Sequence, residues 1–313
     1  MIIPCFNART WICEAVSSVL DQRMERMEIL VIDDGSTDGS ADLVEMQFPS
    51  VRVIRSEHRG VSHARNLGTR LSGGAWIQYL DADDLLAPDK LKRQVAALES
   101  SGADVAYGDF QEFVRAADEV PAGKVISPRL SDPAISLFTG AWFPPAAYLF
   151  RRAIVDRAGG WKEELKIIQD ARFAWDCAFY GGQFVRVEGL AAYYRKTGEN
   201  SLSRRDSAAF IRECFANARS VEALWQAHDR LAAEHRQALL HAYFYAARAS
   251  YAKDNETFNA AAAALARLQP GFLPPGPAGL RQLSRWIGYR NAEGAALRYR
   301  WIKGGFKRLL GNK

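Results

Sequence analysis

Cysteine and histidine are scarce in this sequence. Its four cysteines, Cys5, Cys13, Cys177 and Cys214, are scattered over 313 residues. None forms a C-x-x-C pair or stands at zinc-finger spacing from a histidine. With no secretory leader visible, they read as reduced thiols of a cytoplasmic protein. The five histidines form no H-E-x-x-H or H-x-H cluster, so a histidine-built metal site is not expected. Long apolar runs are missing too. The longest uncharged stretch, Pro133 to Phe150, is interrupted by Gly140 and Pro144-Pro145, so it reads as a buried loop and strand rather than a membrane span. No G-x-G-x-x-G follows any predicted strand, which argues against a dinucleotide enzyme. No internal repeat or low-complexity tract is present.

What is present is ordinary for a globular chain: 48% apolar and 25% charged residues. Charge is unevenly placed. From Arg281 to Lys313, nine basic residues stand against one glutamate, a net of +8, so the other 280 residues carry −3 of the total +5. A nucleic-acid-binding domain needs a basic working face, and this one is mildly acidic; no nucleic-acid partner is expected.

Helix and strand signals alternate through the first half, the pattern of a parallel sheet with helices packed on it. Ile2-Ile3 starts a strand that should stop at Pro4. Apolar positions from Thr10 to Gln22 have helical spacing. Glu28 to Ile32 is a buried strand ending in Asp33-Asp34-Gly35-Ser36, where Ser36 can cap the next helix. Val51–Arg55 and Ala75–Leu80 read as strands, with a helix over Val61–Leu71 between them, closed by Gly73-Gly74. The second of these strands runs into Asp81-Ala82-Asp83-Asp84. Pro88 and Gly102 bracket a further helix. From Ser207 to Leu268 the pattern gives two or three packed helices, and Pro270 to Gly279 reads as a linker.

Two acidic clusters thus sit at strand ends. In a parallel sheet all carboxyl ends lie on one edge, where open α/β folds bind ligands. Each cluster alone is also ordinary turn and capping chemistry. Together, mutually repelling carboxylates imply a positive group nearby, and a hard divalent cation shared with substrate phosphates fits. An EF-hand is excluded, because the central glycine and terminal glutamate are missing.

Four motifs occur in order: Ile2-Ile3-Pro4-Cys5-Phe6-Asn7, Val31 to Asp38 (V-I-D-D-G-S-T-D), Gly60 to Gly68 (G-V-S-H-A-R-N-L-G) and Tyr79 to Asp84 (Y-L-D-A-D-D). This combination resembles glycosyltransferase family 2, and the similarity extends from Met1 to about Ser203. The resemblance implies an α/β, GT-A fold: Rossmann-like, with a mainly parallel central sheet and helices on both faces, followed here by an α-helical C-terminal region. It implies a nucleotide-sugar donor, a saccharide or lipid-linked saccharide acceptor, and Mn²⁺ or Mg²⁺. It also implies site roles. Pro4, Phe6 and Asn7 bind the nucleotide-sugar, with Phe6 offering a stacking face for the base. Asp34 and Arg65 contact the nucleotide, and Asp81 the ribose or sugar. Asp83 is the metal ligand, and Asp84 orients a water or Asp83.

Gly159-Gly160-Trp161-Lys162-Glu163 followed by Gln169-Asp170 resembles the family's base motif and puts Asp170 on the position of the catalytic carboxylate, at a predicted helix start. Gln169 replaces the usual glutamate, which removes one charge beside Asp170. A cap role for Asp170 and a base role for Asp176 stay open. Tyr194-Arg195 … Ser201-Leu202-Ser203 resembles the closing segment, making Arg195 a candidate phosphate contact. The family's first strand normally has more residues before its proline, so either this strand is unusually short or the true start lies upstream. A nucleotidyltransferase would carry a Gly-rich basic loop after that strand, and Asn7-Ala8-Arg9-Thr10 is not one.

The expected organisation is a catalytic domain over 1–205, a helical extension over 206–269, a Pro/Gly linker over 270–279 and a basic amphipathic tail over 280–313. The tail's Trp286, Tyr289, Leu297, Tyr299 and Trp301, interleaved with basic residues, suit either peripheral contact with the inner face of the cell membrane or packing against the catalytic domain. The expected activity is inverting sugar transfer to an acceptor hydroxyl, in cell-surface polysaccharide or glycolipid synthesis. A catalytically degenerate nucleotide-sugar-binding module is the alternative.

Overall fold

The structure is a computed structural model that describes residues 1–114, 123–196, 206–275 and 277–309. Ser201-Leu202-Ser203 and the last four residues of the tail lie outside the described residues.

Strand β1 spans Ile2–Cys5 and is buried throughout. It runs on through Pro4, past the expected stop, and the pairing shows why. On one side, Ile2 donates to the Gln78 carbonyl at 2.9 Å and accepts from Leu80 N at 3.1 Å. On the other, the Met1 and Cys5 carbonyls accept from Leu30 N and Asp34 N. Backbone groups alternate sides along a strand, so Pro4 turns its missing donor toward the 78–81 segment, where the neighbouring chain is leaving. β2 (Leu30–Asp33) and β3 (Arg52–Arg55) complete a parallel sheet in the order β1-β2-β3.

Helix α1 (Ile12–Leu20) connects β1 to β2, α2 (Ser40–Gln47) connects β2 to β3, and α3 (Val61–Leu71) leads on from β3. Ser36 does not cap α2. That helix begins behind Gly39, and the Ser36 hydroxyl instead accepts from Asn7 N at 2.9 Å, tying the ends of β1 and β2 together. α3 lies close on the sheet at Gly68, where a Cβ would come within 2.5 Å of Ile2 Cγ2. It closes at Ser72 rather than at the two glycines.

The stretch expected as one strand over 75–80 serves two sheets. Trp76–Ile77 (β4) pairs antiparallel with β8 (Tyr148–Arg151), while Tyr79 bridges to Ile2 in parallel. After β5 (Leu85–Leu86) come α4 (Lys90–Ser101), β6 (Val105–Phe113), β7 (Val125–Ile126), α5 (Pro133–Phe138), α6 (Arg152–Arg157), α7 (Gln169–Phe179) and β9 (Phe184–Arg195). The second sheet has the order β4-β8-β6-β9-β5, with β7 on β6. Only β6–β9 is parallel in it. The parallel character therefore resides in the first three strands, and a mixed sheet continues from them. The architecture is α/β with a GT-A-type arrangement and a helical C-terminal region.

Lys90 fastens α4 to the second sheet and to the segment after β4. It is fully buried and donates to Gln78 Oε1 and to the Tyr148 carbonyl. Burial pushes its pKa well below the usual lysine value.

Contacts divide the chain into two compact units, Met1–Arg205 and Asp206–Lys313. The second is built of α8 (Ser207–Ala227), α9 (Ala233–Ser250), α10 (Asn255–Leu268) and α11 (Ala278–Leu309). Asp206 caps α8 and Asp254 caps α10, each accepting from first-turn amides. Trp225, Leu239, Tyr243, Phe258 and Leu265 form the core. α11 is interrupted at Gly288, whose φ is 76°. Leu280, Tyr289 and Ala292 face inward, with Tyr289 against Phe244 and Phe272. Trp286 and Tyr299 are 75% and 63% exposed on the same helix. Within this unit one face of the tail packs on the preceding helices, and the other presents Trp286 and Tyr299, next in sequence to Arg285 and Arg298.

Candidate functional site

The carboxyl ends of β1 and β2 lie side by side because the strands are parallel and in register, with Cys5 opposite Asp33. Asp34 follows, 2% exposed. Its Oδ1 accepts from Arg59 N at 2.9 Å and its Oδ2 from Gly60 N at 2.8 Å, at the start of α3. His58 Nδ1 lies 2.9 Å from Oδ2. The carboxylate is thus engaged by the segment leading into α3, and one lone pair on Oδ1 is left for an incoming donor. Phe6, just beyond β1, is 46% exposed and stacks on His58, with ring centroids 4.0 Å apart. Asn7 adopts φ 48° and accepts from Thr37 N at 2.9 Å. Pro4, Phe6, Asn7 and Asp34 therefore form one rim.

The turn Asp81-Ala82-Asp83-Asp84 closes through Asp84 N to the Asp81 carbonyl at 3.0 Å. Two arginines hold it. Arg65 is 1% exposed, contacts Asp81 Oδ1 through Nη2, and lies 4.1 Å above the Trp161 ring. Arg195 is 4% exposed and sandwiched between Trp11 and Phe113 at 4.2 and 4.4 Å. Its Nε donates to the Asp83 carbonyl at 2.7 Å, its Nη2 to Glu14 at 2.9 Å, and its backbone N to Asp84 Oδ1 at 2.8 Å. Both guanidiniums are buried, yet among the described residues Arg65 Nε and Nη1 and Arg195 Nη1 have no hydrogen-bond partner. Both position the acidic turn.

The three carboxylates press on one another. Burial and then the Asp81 charge raise the Asp83 pKa to about 6. Burial, Asp83 and Asp81 push Asp84 well above the usual range.

Asp170 stands in the first turn of α7, where Ile168 is the N-cap residue, so it does not cap the helix. Its Oδ1 accepts from Ala171 N at 2.8 Å and its Oδ2 from the indole N–H of Trp142 at 2.7 Å. Burial raises its pKa, partly offset by the Trp142 bond, the Ala171 amide and Arg65. Asp81 acts on it in the opposite sense, so the acidic turn and Asp170 share one field. The Tyr194 hydroxyl is raised by burial and then by Asp84, Asp170, Asp81 and Asp83. One phenol thus senses all four carboxylates. The rival Asp176 is buried and paired with Arg172 at 2.9 Å, which commits it to the interior of α7. Gln169 is buried beside Asp170, and its Oε1 has no hydrogen-bond partner.

The segment before α7 is pinned to α3. Asn66 accepts from Trp161 N at 2.8 Å and donates to the Trp161 carbonyl at 2.9 Å and to Glu163 at 3.0 Å. Gly160, at φ 71°, passes so close that a Cβ would lie 2.8 Å from Asn66 Oδ1.

Among the described residues, no group of three or more histidine, cysteine or acidic side chains forms a ready metal cage. The donor set nevertheless suits a hard cation. It is all oxygen, it is short of positive charge, and Asp84 Oδ2 is buried with no hydrogen-bond partner. Magnesium-type sites commonly use one or two carboxylates and take their remaining ligands from substrate phosphates and water.

Trp142, Glu14, Trp11 and His58 were not expected from the sequence. Trp142 offered only a lone indole in an uncharged stretch, and Glu14 looked like any exposed helix acid.

Residues 1–154 match glycosyl transferase family 2. An uncharacterized glycosyltransferase of Rickettsia felis is 36% identical over 115 residues, 36% of this chain and 19% of that protein. The matched part thus spans about a fifth of that relative. An uncharacterized glycosyltransferase of Nostoc sp. is 31% identical over 229 residues, covering 70% of each chain. The succinoglycan biosynthesis protein ExoO of Rhizobium meliloti is 27% identical over 216 residues, 65% of this chain and 62% of that one. Among solved structures, S. aureus TarS 1-349 superposes with a TM-score of 0.63 at 18% identity, over 95% of this chain and 90% of that one. The same protein in complex with UDP-GlcNAc gives 0.59 at 17% identity, with the same coverage. Mannosyltransferase PcManGT from Pyrobaculum calidifontis, in complex with GDP-Man and Mn²⁺, gives 0.52 at 21% identity, over 94% of this chain and 85% of that one. Motif order, fold and relatives agree: this chain belongs to glycosyl transferase family 2.

Proposed function

We propose that the chain is an inverting glycosyltransferase that moves a sugar from a nucleotide-sugar, by preference a UDP-sugar, to an acceptor hydroxyl in cell-surface polysaccharide or glycolipid synthesis. The observation that carries this reading is the gathering of Asp81, Asp83, Asp84 and Asp170 into one field, with the Phe6 and Asp34 rim at the neighbouring strand ends. TarS bound to UDP-GlcNAc and the succinoglycan relative support the donor and product classes.

In this reading Phe6 stacks the base, Pro4 and Asn7 shape its edge, and Asp34 accepts from it through the remaining Oδ1 lone pair. Arg65 and Arg195 hold the acidic turn and offer their unpartnered N–H groups to the nucleotide and the diphosphate respectively. Asp83 would hold a divalent cation, Mn²⁺ or Mg²⁺, which supplies charge neutralisation at the diphosphate leaving group. Asp81 meets the ribose or sugar. Asp170 takes the proton of the acceptor hydroxyl as it attacks the face opposite the diphosphate. Burial raises its pKa, which makes it a stronger base than an exposed aspartate.

No described helix is long and apolar enough to cross a membrane. Peripheral contact is the role proposed for the tail over 280–313. Its support is the exposure of Trp286 and Tyr299 beside Arg285, Arg290 and Arg298. Trp286→Ala should weaken co-sedimentation with vesicles rich in anionic lipid, and unchanged binding would remove the proposal.

Calorimetric titration of UDP, GDP and dTDP, with and without Mn²⁺, tests the donor site. The expected result is metal-dependent binding of one nucleotide, lost in Asp83→Ala. Absence of binding by all three, from folded protein, contradicts the reading.

A further inference from the structure

Asp170 reaches only one side chain by hydrogen bond among the described residues, and that side chain is not on its own element. Trp142 lies between α5 and the short 3-10 turn Pro145–Ala147. Its indole is a donor with no acceptor capacity. At 2.7 Å from Oδ2, the bond is at the short end of the range for charge-assisted N–H···O contacts.

The indole is held from two directions. Its edge meets Phe110 of β6 with centroids 5.5 Å apart at 88°, and Tyr194 of β9 at 5.1 Å and 75°. Phe110 is fully buried, so one wall of this slot belongs to the sheet core. The loop is anchored as well, by Ala141 N to the Ser136 carbonyl at 2.9 Å. The direction of the N–H is therefore set by the sheet, while Asp170 rides on α7. Such a bond transfers the rigidity of the sheet to a carboxylate that its own helix fixes only through the Ala171 amide.

We propose that Trp142 is the positioning residue for Asp170, fixing the rotation of its carboxylate so that the remaining lone pairs face one place for an acceptor hydroxyl. The inference rests on the reading of Asp170 as the base. Each carboxylate oxygen has two lone pairs, and Trp142 and Ala171 N occupy one on each. The other groups facing Asp170 are Arg65 from α3, Asp81 from the acidic turn and the hydroxyls of Tyr194 and Tyr148. None of these donates a hydrogen bond to it. A purely structural tryptophan would need only its ring contacts, which phenylalanine retains in large part.

The test uses the full chain labelled for carboxyl and indole NMR, with Asp170→Asn identifying the Asp170 signal. In Trp142→Phe, Asp170 should titrate about one to two pKa units higher, the shift expected from losing one hydrogen bond to a charged group. The sign follows from the bond favouring the charged form. An unchanged titration overturns the proposal. Should that variant fail to fold, the wild-type indole N–H decides. It should titrate together with Asp170 and stop titrating in Asp170→Asn; an indole resonance indifferent to both contradicts the bond.

Turnover of a nucleotide-sugar completes the case. Trp142→Phe should lower kcat with little change in donor KM, and move the acidic limb of the pH profile to higher pH. A rise confined to KM, with kcat unchanged, would place Trp142 in binding and overturn the role. If Asp170→Asn turns over at the wild-type rate, the base reading fails, while the NMR result still settles whether Trp142 holds Asp170.

Discussion

Glu222 in the helical unit is buried and accepts from the Tyr243 hydroxyl at 2.6 Å, from Arg267 Nη2 at 2.8 and 2.6 Å, and from Gln226 at 3.3 Å. Asp84 in the α/β unit is just as buried but accepts from one amide, Arg195 N, and leaves Oδ2 without a partner. Asp81 and Asp83 sit beside it and raise its pKa, only partly offset by Arg195, whereas Glu222 pairs directly with Arg267. The fold has completed one acidic centre from its own side chains and left the other short of positive charge. A buried carboxylate without its full set of partners costs stability, so its persistence calls for a group that arrives from outside. In the proposed function the acidic turn is where a cation and a diphosphate would bind, whereas Glu222 is a helix clamp.

Substitutions sharpen this contrast. The largest expected effect is at the support of the acidic turn. Arg195→Met removes the bond to the Asp83 carbonyl and the partner of Glu14 at a buried site, and should cost about 3–5 kcal/mol in urea denaturation. A cost below about 1 kcal/mol would mean that the turn holds itself. Next comes Glu222→Gln, which takes the charge from a satisfied centre. It should cost about 2 kcal/mol, reduced by the exposure of Arg267. The smallest effect has the opposite sign: Asp84→Asn can keep the Arg195 bond while removing a repelling charge, and should raise the midpoint of the metal-free protein. Equal signs for the two carboxylate-to-amide changes would erase the comparison.

pH separates the centres in the same way. A folded-state pKa above the unfolded one means that the native state holds more protons in the window between them, so stability falls as pH rises through it. For Asp83 that window runs from about 4, the ordinary aspartate value, to about 6. Chelator-treated protein should lose stability across it, Asp84→Asn should flatten the loss, and Mn²⁺ should reverse it. A stability that climbs with pH over this range would contradict the charge deficit.

The part of this site that lies on the parallel strands was legible in the sequence, because strand and helix periods alternate there and aspartates mark the strand ends. Pro4 misled by one residue, since its tolerance depends on which side of β1 the missing donor faces. Ser36 misled because its hydroxyl finds Asn7, across the sheet, before any helix amide. The mixed sheet was not legible: β6 lies between β8 and β9, partners remote in sequence, with no local signal of direction. The clamps were hidden for the same reason. Trp142 meets Asp170 across 28 residues and Arg195 meets Glu14 across 181, and no spacing rule spans such separations. The motif placed Asp170 and Arg195 correctly in the neighbourhood of the acidic turn. What the motif did not show is that Arg195 is buried between Trp11 and Phe113.

The measurement closest to the central claim compares wild type and Asp170→Asn for transfer from the nucleotide-sugar that titration selects, with binding of its nucleotide followed in parallel. The account predicts a rate lower by about 10²–10⁴-fold with nucleotide affinity unchanged. Transfer at the wild-type rate by Asp170→Asn would contradict it.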